Sequence, residues 1–370
     1  MENYSTNIAG INIGIESGNT NSSLVKKISH DLEATKTKNE NNDIIISFHK
    51  KEFENYKPDI YSAKGSMNFN KNQFYVDYLS EISYIVENLF IDTNNTIVAI
   101  NPDKKNIKKS LRQLFTVDKL ETVKNSILSY SLFWYVFHIK LLQQKKAFIH
   151  AGIADTNGEA TVIAGTGGCG KTSTLFKILE DENKNYIAED FGIIDENANT
   201  YYNPKPVSIY ASDMEFGQSI LKNFYNNFSK KEKLLWTIKR KLLKRNPMIK
   251  AKPSKLMENR ITKQSKIKNT IYFIRNNDSK ISIKEIELQE LVERTLDASM
   301  RELKTLNELL LLMHSNAPIE YSIPSFEKIR KQTEKIYKQC FSRTHNKILY
   351  IPHKSKPNEI VNFLHNEGIL

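Results

Sequence analysis

Over the first hundred residues, apolar positions recur with period two or in short β-branched runs. Ile11, Ile13 and Ile15 alternate with small or polar residues, 44–48 is β-branched and aromatic, and 73–78 and 84–92 share that character, so each predicts a strand. Asn94-Asn95 predicts a turn into a further strand over 96–100, and 35–42 reads as a polar loop. From about 107 to 143 the spacing becomes helical. It predicts two helices, the second over 126–142 and rich in large apolar residues, with His138 as a core histidine.

At Ala147 the rhythm returns to strand. A short apolar strand over 147–153 leads to Asn157-Gly158, the strongest two-residue hairpin signal. The returning strand, 159–164, runs into a glycine-rich stretch that is followed by a helix-forming segment, 171–181. A strand over 186–188 ends in Glu189-Asp190, 191–195 continues it, and 199–207 turns through two prolines. Farther on come a strand at 270–274 ending in Arg275, a long amphipathic helix over 287–314 and another over 326–340. A last strand (347–351) and a last helix (357–364) follow. The reading is an α/β chain in three parts: a sheet-rich N-terminal domain, 1–103; a helical connection, 104–145; and a core, 146–370.

Composition supports packed domains. The 370 residues are 39% hydrophobic and 10% aromatic, enough to bury a core rather than stay disordered. The stretch nearest to a membrane span, 128–142, is interrupted by His138 and Lys140. The N-terminus lacks the basic-then-apolar pattern of a signal peptide, so a cytoplasmic protein is expected. Cys169 and Cys340 read as free thiols, because a disulfide at Cys169 would obstruct the glycine-rich loop.

The net charge of +12 is local. Between Leu221 and Thr270 sixteen Lys and Arg face two acids, Glu232 and Glu258. That segment alone is therefore +14, and the rest of the chain sums to about −2. Lys230-Lys231, Lys239-Arg240-Lys241 and Lys244-Arg245 interleave with Leu234, Leu235, Trp236, Ile238, Leu242 and Leu243, a basic amphipathic helix by pattern. A solvated helix face is the plain reading. A clamp for an acidic substrate, a membrane-surface contact and nucleic-acid binding are the functional ones.

The chemistry concentrates at Gly165-Thr166-Gly167-Gly168-Cys169-Gly170-Lys171-Thr172, with Ser173 extending it. Two glycines five residues apart, followed by Lys and Thr, match the phosphate-binding loop. Glycines let the backbone wrap a phosphate and expose its N–H donors, and the following helix N-terminus adds partial positive charge. Lys171 would reach the β and γ oxygens, and the Thr172 hydroxyl would coordinate magnesium. Glu189-Asp190 supplies carboxylates for a metal or for orienting a hydroxyl. On a regular strand neighbours face opposite ways, so one of the two would enter the site. His150 lies on the hairpin partner of the strand that enters the loop.

Together, His150-Ala151-Gly152, a hairpin turn, the loop 165–172 and Ile187-Ala188-Glu189-Asp190 resemble the catalytic core of HPr serine kinases, which is shared with ATP-dependent phosphoenolpyruvate carboxykinases. The likeness covers 147–210, about a sixth of the chain. It implies a mixed-sheet P-loop kinase core and transfer of the γ-phosphate of ATP, with Mg2+, to a hydroxyl of a peptide, protein or small molecule. Lys171 would act as loop lysine, Thr172 and Asp190 would hold the metal, Glu189 would be the base or orienting acid, and His150 would sit beside metal or phosphate. Glu189 stands where the family has Asp, and the family's later acidic-Arg signature in a Gly-rich stretch is not visible. Arg260 and Arg275 are candidates for stabilising the transferred phosphate. A homo-oligomer is expected. The rival reading is a nucleotide-switched binding module that engages an acidic partner, nucleic acid or membrane through 221–270.

Overall fold

The computed structural model of the chain describes residues 3–17, 22–37, 41–48, 51–61, 67–76, 83–91, 95–101, 132–216, 219–226, 228, 230–242 and 248–370. Contacts divide the chain into two compact units, Met1–Gln144 with Leu303–Gln332, and Lys145–Glu302 with Thr333–Leu370. Residues 303–332 thus group with the first unit, although the sequence reading set them in the core. The division falls where the helix expected over 287–314 breaks at Leu303 (φ −93°, ψ 16°) into Leu288–Glu302 and Lys304–Asn316.

In the first unit the strands are β1 (Asn3–Ile8), β2 (Ile11–Glu16), β3 (Thr35–Lys36), β4 (Ile44–Ser47), β5 (Ile60–Tyr61), β6 (Met67–Phe69), β7 (Gln73–Val76), β8 (Ser83–Glu87) and β9 (Thr96–Asn101). They form one sheet in the order β3-β1-β2-β4-β9-β8-β7-β6-β5. Its pairs are antiparallel except where β2 meets β4 and β4 meets β9. The alternation read in the sequence is the pleat itself, with Ile11, Ile13 and Ile15 buried. The helix Phe133–Gln143 is buried from Phe133 to Leu142. His138 is among those residues, and burial lowers its imidazole to about 3, which keeps it neutral. The turn expected at Asn94-Asn95 and the first helix expected after residue 107 lie partly or wholly outside the described residues.

The second unit has β10 (Lys146–Ile149), β11 (Ala151–Thr156), β12 (Glu159–Gly165), β13 (Asn185–Ala188), β14 (Gly192–Asp195), β15 (Asn199–Tyr201), β16 (Val207–Tyr210), β17 (Met248–Ala251), β18 (Gln264–Asn276), β19 (Ser282–Glu285) and β20 (His345–Pro352). The sheet runs β10-β14-β15-β18-β12-β11-β13, with β20 beside β18 and β19 beside β20. It is mixed: β12–β18 and β18–β20 are parallel and the other pairs antiparallel. Asn157 (φ 53°) and Gly158 (φ 87°) both take positive φ between β11 and β12, as the two-residue hairpin requires.

The helix Lys171–Ile178 packs Leu175 and Phe176 into a cluster with Ile163, Ile271, Phe273, Leu349 and Ile351 of the sheet and Ile360 and Leu364 of the helix Pro357–Asn366. Full burial of side chains this size is worth roughly 1.5–3 kcal/mol each, so the glycine-rich loop is anchored at both ends by core. β16 and β17 form a separate two-stranded ribbon. Within the basic segment, Lys230–Thr237 is α-helical and Ile238–Leu242 a π-helical turn, while Lys244-Arg245 lies outside the described residues. Both cysteines are buried free thiols. Among the described residues no helix is long and apolar enough to cross a membrane.

Candidate functional site

β12 ends at Gly165 and the helix begins at Lys171, so the loop spans the gap between sheet and helix. Gly165 has φ 145°, and a Cβ there would lie 2.9 Å from both Cys169 Sγ and the Phe273 carbonyl. Gly170 has φ 99°, and its Cβ would lie 2.8 Å from Arg275 Nη2. Both positions exclude a side chain. At Gly167 and Gly168 an added Cβ meets nothing within 4 Å, which leaves an open cradle.

Arg275 supports this loop and lines the same cavity as Gly167, Gly168 and Lys171. Its Nε donates to the Cys169 carbonyl (3.1 Å), and its Nη1 to the carbonyls of Pro352 (2.8 Å) and Ser355 (2.9 Å). These bonds tie β18, the loop and the segment after β20 together. Arg260 is not at the site. Its Nη1 donates to the Leu179 carbonyl (2.6 Å) and to that of Asp181 (3.3 Å), satisfying carbonyls that the end of a helix leaves open.

Lys171 folds back onto its own loop. Its ammonium donates to the carbonyls of Gly165 (2.9 Å) and Thr166 (3.0 Å) and lies 3.0 Å from His150 Nε2. An ammonium has only donors, so Nε2 accepts and the neutral imidazole carries its proton on Nδ1. His150 is not inside one continuous strand, as the apolar run 147–153 predicts. It occupies the bend between β10, which pairs with β14, and β11, which pairs with β12 and β13. Its backbone N–H donates to Ser299 Oγ (3.0 Å), and Ser299 Oγ is 2.8 Å from the Tyr337 oxygen. The Tyr337 hydroxyl in turn donates to the Phe148 carbonyl.

Glu189 and Asp190 follow the end of β13, and Asp190 takes a positive φ of 69°. That single left-handed residue sends the two carboxylates to different partners. Thr172 Oγ1 donates to Glu189 Oε1 at 2.6 Å. Asp190 instead places Oδ1 3.0 Å from His150 Nδ1 and Oδ2 2.7 Å from Lys205 Nζ. Thr172 thus hydrogen-bonds to Glu189, while Asp190, the acid expected to hold the metal with Thr172, faces His150 and Lys205. Burial, reinforced by the Asp190 charge, pushes Glu189 up to about 7. At Asp190 burial works in the same upward direction, but Lys205 and then His150 outweigh it and hold the group well below the usual carboxylate range.

These groups line a cavity of about 590 Å³. Its lining includes Gly167, Gly168, Gly170, Lys171, Thr172 and Ser173, whose Oγ donates to the Gly170 carbonyl (3.1 Å), together with Glu189, Asp190, Ser208, Tyr210, Asp213, Arg275 and Glu302. Ligand atoms of His150, Asp190 and Glu302 lie within 4.8 Å of one another, close enough to share a cation. Among the described residues none of 221–270 lines this cavity; Lys244-Arg245 and the Lys239 side chain, part of the expected clamp, lie outside what is described.

Sequence reasoning missed Lys205, Tyr210, Asp213 and Glu302. The one local hint was Pro204-Lys205-Pro206, a lysine fixed between two prolines, and that lysine is buried with its Nζ 4.1 Å from the centre of the Phe191 ring. A strand, a glycine cradle, an inward lysine, a hydroxyl on a carboxylate and a second carboxylate paired with Lys205 together can receive a polyanion, neutralise it and orient a hydroxyl. No protein-family model and no curated protein matches the chain.

Proposed function

We propose that this protein is an ATP- and Mg2+-dependent phosphotransferase acting on a hydroxyl acceptor, with a mixed-sheet P-loop core of the HPr-kinase/carboxykinase type. The observation that carries the reading is the contact between Thr172 and Glu189 beside the loop lysine. The cradle at Gly167 and Gly168 has room for phosphate oxygens, and Lys171 needs only to leave two carbonyls to meet them.

Thr172 and Glu189 would hold the metal. A half-buried carboxylate raised to about 7 beside a second carboxylate is one that a divalent cation stabilises as the anion. Bound there, magnesium would neutralise charge on the β and γ oxygens. Asp190, fixed by Lys205 and facing His150, would orient the acceptor hydroxyl. As the acceptor oxygen bonds to the γ-phosphorus, the bond to the β,γ-bridging oxygen breaks and ADP leaves with that electron pair. The hydroxyl proton becomes strongly acidic only then, so a carboxylate of low basicity suffices to take it.

The test is equilibrium binding of ATP with and without Mg2+. Wild type should bind Mg2+·ATP in the roughly micromolar-to-millimolar range usual for enzyme substrates. Lys171→Ala should bind it at least tenfold more weakly while melting normally. Equal binding by the two proteins would remove the loop from the account.

A further inference from the structure

Within 219–242 seven Lys and Arg stand against one acid, Glu232. The structure gives that charge a shape. The helix Ser219–Asn226 is seated on the core of the second unit through Ile220 and Leu221. The helix Lys230–Thr237 is joined to it by aromatic rings: Trp236 lies 6.3 Å from Tyr225 and 6.0 Å from Phe228, centre to centre, and the latter two are 5.1 Å apart. Trp236 is 4% exposed. The pair of helices is therefore held from its apolar side, and its charged side is left to face outward.

On that outward side Lys230, Leu234 and Thr237, spaced i, i+4 and i+7, share one helix face, and all three are exposed. The π-helical turn Ile238–Leu242 continues with exposed Arg240 and Lys241, and Lys222 is exposed on the first helix. Leu234 is 60% exposed. A lone exposed leucine is ordinary. Set among cations on a helix whose other side is core, it has the pattern of an interfacial helix: the apolar side chain enters the acyl boundary while long basic side chains stay at headgroup level. The charge complements the anionic surface of a lipid leaflet. A nucleic acid would answer the same charge, but single strands are held largely by stacking on aromatic rings, and here Trp236 is turned inward. Leu234 would gain nothing against a phosphate backbone.

We propose that the helices Ser219–Asn226 and Lys230–Thr237, with the turn Ile238–Leu242, dock on the anionic surface of a lipid bilayer, where Leu234 enters the interface and Lys222, Lys230, Arg240 and Lys241 engage the headgroups. The contact is peripheral, since among the described residues no helix is long and apolar enough to cross a membrane. None of these residues lines the cavity at the glycine-rich loop, so the docking and the phosphotransferase reading stand or fall separately.

The experiment is flotation of the full chain with vesicles of phosphatidylcholine alone or with about one third phosphatidylserine, at about 0.15 M and about 0.5 M salt. Wild type should float with the anionic vesicles at the lower salt, release at the higher, and ignore the neutral ones. Each cation near such a surface contributes about fivefold to binding, so Lys230→Gln/Arg240→Gln/Lys241→Gln should weaken it about a hundredfold. Leu234→Ser should weaken it at least about threefold with the charge unchanged. Both variants should melt as wild type does, and the two salt arms test the proposal without any variant. Absence of wild type from the anionic vesicles, or equal flotation with both compositions, would overturn the proposal. So would a triple variant that floats like wild type. Leu234→Ser binding equal to wild type would reduce the surface to a general polyanion contact and overturn the lipid assignment. Tighter binding to a single-stranded oligonucleotide or to polyglutamate than to the anionic vesicles would reassign the surface to nucleic acid or to an acidic protein.

Discussion

Thr172 and Glu189 meet hydroxyl to carboxylate at 2.6 Å, while the next residue, Asp190, turns to His150 and Lys205. Two adjacent acids thus serve different partners: Glu189 the start of the helix after the loop, Asp190 the pair His150 and Lys205. The division comes from one backbone angle, the positive φ of Asp190, and it gives the two carboxylates opposite titration behaviour.

Glu189 should make the metal-free protein less stable as pH rises. Its folded pKa is about 7 against 4.5 for the free side chain, so its contribution is fully favourable below about pH 4.5 and is lost as pH climbs through 7. Glu189→Gln cannot ionise. The melting temperature of Glu189→Gln relative to wild type, measured in EDTA, should therefore increase from pH 5 to pH 8. A difference that does not change with pH would mean that the carboxylate is not perturbed. With metal present the same substitution should weaken Mg2+ dependence, and the wild-type Mg2+ affinity should rise with pH up to about 7.

Lys205 should matter for stability because it is the buried partner of Asp190. Removing one member of such a pair leaves a charge uncompensated and costs about 3–5 kcal/mol when the site is fully buried. Asp190 keeps some exposure, so about 2 kcal/mol is expected for Lys205→Met. The double variant Lys205→Met/Asp190→Asn should recover part of that loss in urea denaturation. Additive losses would show that the two side chains do not interact.

The exposed charges Arg240 and Lys241 should not set acceptor affinity, since neither lines the cavity. Replacing both by Gln should change the acceptor KM by less than about twofold at low and at physiological salt, the range within which distant surface charges are screened. A large, salt-sensitive rise in KM would return the segment to a substrate-binding role.

What the sequence made legible was local. Asn157-Gly158 dictated the hairpin, and the glycine spacing with Lys171-Thr172 marked a strand–loop–helix unit, because turn chemistry acts over a few residues. The alternation of Ile11, Ile13 and Ile15 gave β2 for the same reason. The apolar run at 147–153 hid the bend at His150, since hydrophobicity continues across a change of strand partner. The charges of Arg260 and Arg275 were visible but their partners were not. Both spend their donors on backbone carbonyls, which carry no sequence signature. Lys205 and Glu302 reach Asp190 from other elements, and only the folded sheet brings them there. The break at Leu303 was masked by helical periodicity that runs on through it.

The most direct measurement is ADP formation from Mg2+·ATP, with water or a hydroxyl compound as acceptor, by wild type and by folded Lys171→Ala. Loss of a preorganised charge at the transferring phosphate typically costs about 10²–10³ in rate. The account therefore expects turnover that requires Mg2+ and falls by at least that factor in Lys171→Ala. Wild-type protein that binds Mg2+·ATP but never cleaves it, or equal turnover by both proteins, would contradict the phosphotransferase assignment.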